Sequence, residues 1–359
     1  MREHLSLFIT VLMLSSSCGM RQEREFVVFG RTESHRALTD AVDSVEWIPL
    51  QTEGAPLIGS FPELFVLDDG GFIVWDKEKS AVYRFSATGA YVGPIGRQGN
   101  GPGEYMDINN IQILEKQVVV FSRPDKVLVF DLSGELVRET HVLTPGIQSF
   151  QVPEGYLTYY GFGGGRGYRL ALQKPDYSEE TYLPDQSKVI HLSVGKPIFS
   201  PDGEQVLFTD AYNSVIYTFC QGWVRPFERF DFGKWAIDEK FYAFDDAFSA
   251  MDYLLSREFA LIQRFIVGES GQMVEVFIQK GSDIRAYYGL NRGEGWSWFG
   301  AGKPGESSFA GTFRCMDGCS VYCVIDSWLL EEKREDDLFP CSLPIHSDQN
   351  PVIVRLYLR

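Results

Sequence analysis

The 359-residue chain is poor in the residues and patterns that announce a chemistry. It has only five histidines, and His141, His191 and His346 each stand isolated in sequence, while His4 and His35 fall near the start. A lone imidazole is more often an ordinary surface or core group than a base or a ligand. No His-Glu-x-x-His pair, Gly-x-Ser-x-Gly turn or Walker loop occurs, and no calcium-loop spacing is found. Positive charge is also short, with 33 Lys and Arg against 49 Asp and Glu, a net −16. Such a surface repels phosphate backbones, so nucleic acid is not an expected partner. No cofactor or metal is expected, and no catalytic set can be named. What is plentiful is aromatic residues (14%, with 27 Phe and 17 Tyr) and glycine (35). Strand-favouring side chains mixed with turn-formers lean toward an all-β fold.

The first 17 residues read as a signal peptide. Arg2 is followed by a ten-residue apolar stretch from Leu5 to Leu14, then by Ser15-Ser16-Ser17 and Cys18. Ten residues cannot cross a hydrocarbon core, which takes about 20 in a helix, and a short apolar run before small residues is the pattern of a cleaved leader. Leu14-Ser-Ser-Ser-Cys18 resembles a bacterial lipobox in the looser form of Bacteroidetes, with Ser15 where the stricter pattern has an aliphatic residue. The resemblance implies lipidation of Cys18, and multiple acyl chains there would make a stable membrane anchor. Gly19-Met20-Arg21-Gln22 lacks the acidic residues that tend to follow the cysteine of Bacteroidetes lipoproteins sent to the cell surface, which favours an outer-membrane lipoprotein facing the periplasm. Residues 18–40 then form a lipidated tether and an entry strand, Phe26–Phe29.

Five cysteines remain: Cys220, Cys315, Cys319, Cys323 and Cys341. Their spacing does not match the common zinc or iron–sulfur patterns. Cys319 and Cys323, four apart on one strand, would be separated by about 13 Å, too far for a disulfide. Buried structural thiols, a disulfide involving Cys341, and a metal site remain the readings, in that order.

The fold is carried by a repeat. A tight turn followed by a strongly apolar strand recurs at Asp69-Gly70, Glu115-Lys116, Glu154-Gly155, Asp202-Gly203, Ser270-Gly271 and Asp317-Gly318. The second turn residues lie 46, 39, 48, 68 and 47 positions apart, and all but the fourth interval suit a four-stranded propeller blade. Asp76-x6-Tyr83-Arg-Phe85 is echoed by Asp210-x6-Tyr217-Thr-Phe219, and Phe85-x3-Gly89 by Phe130-x3-Gly134. The expected architecture is a six-bladed β-propeller of four-stranded antiparallel blades over residues 41–359. The long interval is assigned one inserted helix near 238–265, with Asp238 as N-cap and an apolar face of Phe244, Phe248, Met251, Leu255, Ile262 and Ile266. Gly99-Asn-Gly-Pro-Gly-Glu104 and Gly300-Ala-Gly-Lys-Pro-Gly-Glu306 each end twelve residues before a repeat turn. Both read as blade connections that need glycine geometry rather than as phosphate loops. Ring closure requires strands from the two ends to pair, Val45–Leu50 with Val352–Leu358.

Ile95-Gly-Arg-Gln-Gly-Asn-Gly-Pro-Gly-Glu-Tyr105, Trp47-Ile-Pro-Leu50 and Asn350-Pro-Val-Ile-Val354 together resemble the six-bladed β-propeller lipoproteins of Bacteroides and relatives, which are similar to NHL-repeat propellers. The resemblance covers about residues 40 to 359 and implies the fold and a lipid tether. It carries no catalytic set.

Propeller sites lie at a mouth of the central channel, among the innermost strands and the blade connections. The segments before each repeat turn, read as those strands, offer Glu63, Gln112, Gln148, Lys196, Arg264 and Arg314, and the signature loop adds Arg97 and Glu104. Basic groups on the axis of an acidic protein suit an anionic ligand, such as a carboxylated sugar or a peptide terminus. The leading expectation is an envelope-tethered binding or interaction module, with a glycan, peptide or envelope protein as partner. The runner-up is a propeller lyase or hydrolase with its site at the channel mouth, and a structural subunit of an uptake assembly is a third reading.

Overall fold

The computed structural model describes residues 27–29, 38–60, 62–142, 146–163, 165–185, 187, 198–203, 205–210, 212–300, 312–332 and 343–359. Cys18, Lys196, Cys341 and the second glycine motif after Gly300 lie outside these residues. Among them, no helix is long and apolar enough to cross a membrane.

Six antiparallel sheets of four strands follow one another around the chain. The innermost strands of blades 1 to 6 are Glu63–Val66, Asp107–Leu114, Gln148–Val152, Phe199–Asp202, Phe259–Gly268 and Thr312–Asp317. Each of the six repeat turns is the hairpin from the first to the second strand of a blade, as in Gly268↔Gly271 and Asp317↔Ser320. The sequence period is therefore the blade period. The core is distributed to match, with one apolar cluster between each pair of neighbouring blades. Each second strand is sandwiched between two such clusters. This is why Phe72–Asp76 and Val118–Phe121 are buried throughout instead of alternating.

The echo of Phe85-x3-Gly89 in Phe130-x3-Gly134 has a steric cause. Gly89 and Gly134 take φ of +80° and +89°, and a Cβ there would come within 2.2 Å of the Pro49 carbonyl oxygen and 2.4 Å of that of Pro94. Each glycine closes the turn between the third and fourth strands against backbone arriving from the preceding blade. The matched aspartates are alike in burial. Asp76 accepts hydrogen bonds from the Gly59 and Lys79 amides, and Asp210 accepts one from the Tyr159 hydroxyl.

The ring is closed by chain ends. Val42–Pro49 pairs antiparallel with Val352–Leu358 as the outermost strand of blade 6, in the register Val45↔Leu356 to Pro49↔Val352. Asn350 fixes the seam. Its carbonyl oxygen accepts from the Ile58 amide at 2.7 Å, and its NH2 donates to the Gln51 and Pro56 carbonyls at 2.7 and 2.9 Å. Val27–Val28 adds a short parallel strand to the edge of blade 4. Phe29 then inserts among Phe232, Trp235, Tyr287 and Trp298.

The single inserted helix is not formed. Two short helices, Glu239–Tyr242 and Ala247–Leu255, occupy the insertion, and Ile262 and Ile266 belong to the innermost strand of blade 5. Phe259 to Val267 is apolar on both sides because it packs on two neighbouring blades, and such a run satisfies helical spacing by accident. The buried face of the helices is Phe241, Ala250 and Leu254, while Phe248 is 86% exposed. Asp238 stands at the first N-cap, but its side chain takes no cap bond. It accepts instead from the Tyr253 hydroxyl and Arg257. Asp246 caps the second helix through the Ser249 amide.

Asn350→Ala should cost roughly 3 kcal/mol, because three part-buried backbone groups lose their partner at the closing seam. Urea denaturation of the purified domain measures it. A loss below about 1 kcal/mol would show that the seam does not depend on this side chain.

Candidate functional site

Antiparallel alternation puts all blade-to-blade connections on one face of the ring. A cavity of about 260 Å³ occupies the channel, and every innermost strand contributes to its wall. Most of the wall is apolar, including Phe65, Ile111, Phe150, Phe199, Phe265 and Met316. The charged exceptions, Glu63, Arg264 and Arg314, are concentrated where blades 5, 6 and 1 meet.

Glu63 opens the first strand of blade 1 and is 2% exposed. Both of its oxygens accept from the Arg264 guanidinium at 3.0 Å, and Oε1 also accepts from Lys77 at 2.6 Å and Arg314 at 3.4 Å. Burial alone would raise the Glu63 pKa, but Arg264, Arg314 and Lys77 together overcome it and hold the carboxyl far below the usual carboxylate range. Burial pulls Lys77 and Arg314 down from their ordinary values, with Glu63 opposing it. Lys77 also lies over the Trp75 ring at 5.4 Å. Three cations thus face one firmly ionised carboxylate, leaving the cluster positive.

A second carboxylate stands behind them. Glu275, on the second strand of blade 5, lies opposite Arg264 on one side and Tyr288 on the other. It does not line the cavity. Burial raises its pKa to about 7, against the pull of Arg264 and Arg314 and with a smaller push from Glu63. The charge of the cluster therefore changes near neutral pH.

Of the residues expected at the site, the structure brings Glu63, Gln112, Arg264 and Arg314 to the channel wall. Gln148 is buried on its innermost strand and accepts from the Ile198 amide at 2.8 Å. Lys196 lies outside the described residues. Arg97 and Glu104 are elsewhere. They pair with each other at 2.7 Å, with Arg97 78% exposed, and neither lines the channel. Glu104 also accepts from the Gly101 amide, while Tyr105 donates to the Ile95 carbonyl. The signature loop is thus tied to itself and to blade 1. Sequence reasoning missed Trp75 and Thr209, which line the channel, and Lys77 and Glu275, which flank the cluster around Glu63; all four sit on or just after second strands and are placed only by strand register.

A larger cavity of about 520 Å³ lies under the inserted helices, walled in part by Phe162, Arg169, Tyr212 and Tyr242. Arg169 pairs there with the buried Asp210 at 3.2 Å, whose pKa is raised by burial. Its rim at Asp185 and Ser187 borders residues outside the described set. Cys220 and Cys323 are buried, Cys315 is half-buried and Cys319 is exposed. Among the described residues, no group of three or more His, Cys, Asp or Glu is placed to hold a metal ion.

Six four-stranded sheets around a walled channel define a six-bladed β-propeller. Residues 31–357 match the family model described as a domain of unknown function (DUF4934), and the chain belongs to that family. Its fold is similar to that of a "Putative exported protein (BF0058)" from Bacteroides fragilis, at 15% identity and TM-score 0.76, covering 91% of this chain and 98% of the other. A member of the DUF4221 family from Bacteroides vulgatus is also similar, at 9% identity and TM-score 0.57, covering 89% and 97%. No curated protein matches the sequence.

Glu275 gives a signed pH prediction. Its folded pKa lies above the unfolded value, so its contribution to stability is full below about 4.5 and is lost as pH rises through about 7. The Glu275→Gln variant should be less destabilised than the parent between pH 5 and 8, by roughly 2–3 kcal/mol. Parallel stability curves for the two proteins over that range would contradict the assignment.

Proposed function

We propose that this chain is an extracytoplasmic, membrane-tethered binding propeller that captures a small anionic ligand in its central channel. The observation that carries the reading is the excess of cations around Glu63 in a protein whose net charge is −16. Gathering two buried arginines and a half-buried lysine around one carboxylate is unfavourable for stability alone, since each desolvated charge costs several kcal/mol unless compensated. A bound anion supplies that compensation. The tether rests on the signal-like start and Cys18, and the extracytoplasmic location is supported by the similar fold described as exported in Bacteroides fragilis. A lipidated Cys18 facing the periplasm would hold the propeller at the outer membrane.

A binding role is favoured over a lyase or hydrolase by the protonation states at the channel. Glu63 is the acidic residue lining it among the described residues, and three cations hold it ionised. Glu275, the carboxyl with a pKa suited to proton transfer, does not line the cavity.

Calorimetric titration of the mature domain with small carboxylates should give binding that weakens at least tenfold in the Arg264→Gln, Glu63→Gln double variant, which removes one charge of each sign. Turnover of a bound compound, or affinities unaffected by the double variant, would overturn the reading. For the anchor, Cys18→Ser should release the protein from membranes into the soluble fraction. Unchanged membrane association would contradict lipid tethering.

A further inference from the structure

Four buried polar atoms on residues that line the channel are without a hydrogen-bond partner: Trp75 Nε1, Thr209 Oγ1, Arg264 Nε and Arg314 Nε. The side chains of Arg264 and Arg314 are only 9% and 6% exposed. A buried donor left unpaired costs about 1–3 kcal/mol, more when charged, so four at one cavity are an expensive coincidence unless something accepts from them. Their chemistry is uniform. Three are obligate donors and the fourth is a hydroxyl that can donate. None of the partnerless buried acceptors among the described residues, such as Gln272 Oε1, belongs to a residue of the channel wall. The amides that do line the channel are already used. Asn110 donates to the Ser149 carbonyl, and Gln112 exchanges two bonds with the Gln151 backbone.

Beyond those donors, Glu63, the two engaged amides and Ser200, the wall is hydrocarbon and aromatic ring, including Ile111, Ile113, Phe199, Phe208, Phe265 and Ile266. A polyhydroxylated body such as a uronic acid would bury its hydroxyls against these side chains without partners. An apolar body would gain about 25 cal/mol for each Å² it removes from water. The volume, about 260 Å³, falls just below the usual range of about 300–1,000 Å³ for drug-sized ligands. Above about pH 7, where Glu275 ionises, it offsets part of the cluster's positive charge, which then suits one negative charge better than two.

We propose that the channel takes a small carboxylate with an apolar body, either a free aryl or branched aliphatic acid or the C-terminal residue of a peptide ending in an apolar side chain. This rests on the anion-binding reading above and deepens it. The carboxylate lies between Arg264 and Arg314, accepting from their free N–H groups while Glu63 keeps its own bonds. Trp75 and Thr209 are the flanking donors, and the apolar body packs on the rings of blades 3, 4 and 5. No bond is made or broken.

The test is calorimetric titration of the mature domain at pH 6.5 with five probes: 3-phenylpropanoate, its primary amide, galacturonate, and a tripeptide ending in phenylalanine with a free or an amidated C-terminus. The expected result is that 3-phenylpropanoate binds at least tenfold more tightly than its amide and than galacturonate. If the free-acid peptide binds tighter still and its amidated form does not bind, the source is a chain end. If only 3-phenylpropanoate binds, the source is a free acid. Thr209→Val, which keeps every charge, should weaken the preferred acid about three- to tenfold with unchanged melting temperature. Tighter binding of galacturonate than of 3-phenylpropanoate would overturn the apolar-body proposal and leave anion binding standing. No binding of any of the carboxylates, or equal binding of acid and amide, would overturn both.

Discussion

The structure depends on one carboxylate placed where it should not be. Glu63 is buried at the axis of the ring and is ionised only because Arg264 from blade 5, Arg314 from blade 6 and Lys77 from its own blade surround it. Blade 6 carries the closing strand pair, so this cluster ties together the sectors on both sides of the ring closure. A buried ion pair seldom adds net stability over an apolar replacement, but removing one partner is severe. The cluster therefore specifies which blades meet at the axis, while the apolar clusters between blades supply most of the stabilisation. Its surplus of positive charge and its unpaired donors exceed what that structural role requires.

Because each blade packs on its neighbours through both faces, the ring has no independent subunit. The closing strands, Asn350 and the turn glycines Gly89 and Gly134 act at the same kind of place, where backbone from one blade touches the next. The signature stretch from Ile95 to Tyr105 belongs with them. Tyr105 donates to Ile95 and receives the Val82 amide, and Arg97 closes on Glu104. The most recognisable motif in the sequence is thus a joint, and the candidate site lies in residues with no motif at all.

The blade count, all six inner hairpins and the pairing of the termini were legible in the sequence because turn chemistry and apolar strands recur at blade length. The insertion was not. Phe259 to Val267 is buried from both sides, so its apolar steps fit a helix as readily as a strand, although the hairpin at Ser270-Gly271 demanded a strand before it. Arg264, read from that hairpin as an innermost-strand residue, is on the channel, whereas Ile262 and Ile266 were assigned to the helix from the same nine residues. Glu275, Trp75 and Thr209 were invisible for a different reason. Their importance comes from register and burial, as in Arg264↔Glu275 and Glu63↔Trp75, which no spacing rule encodes.

The central claim is that the channel holds a net positive charge that a small anion can reach and neutralise. Crystals of the mature domain soaked briefly in bromide would test it directly through anomalous scattering. The account predicts an ordered bromide between Arg264 and Arg314, in contact with their Nε–H groups. Bromide confined to the outer surface, with the channel empty or filled by water alone, would contradict it.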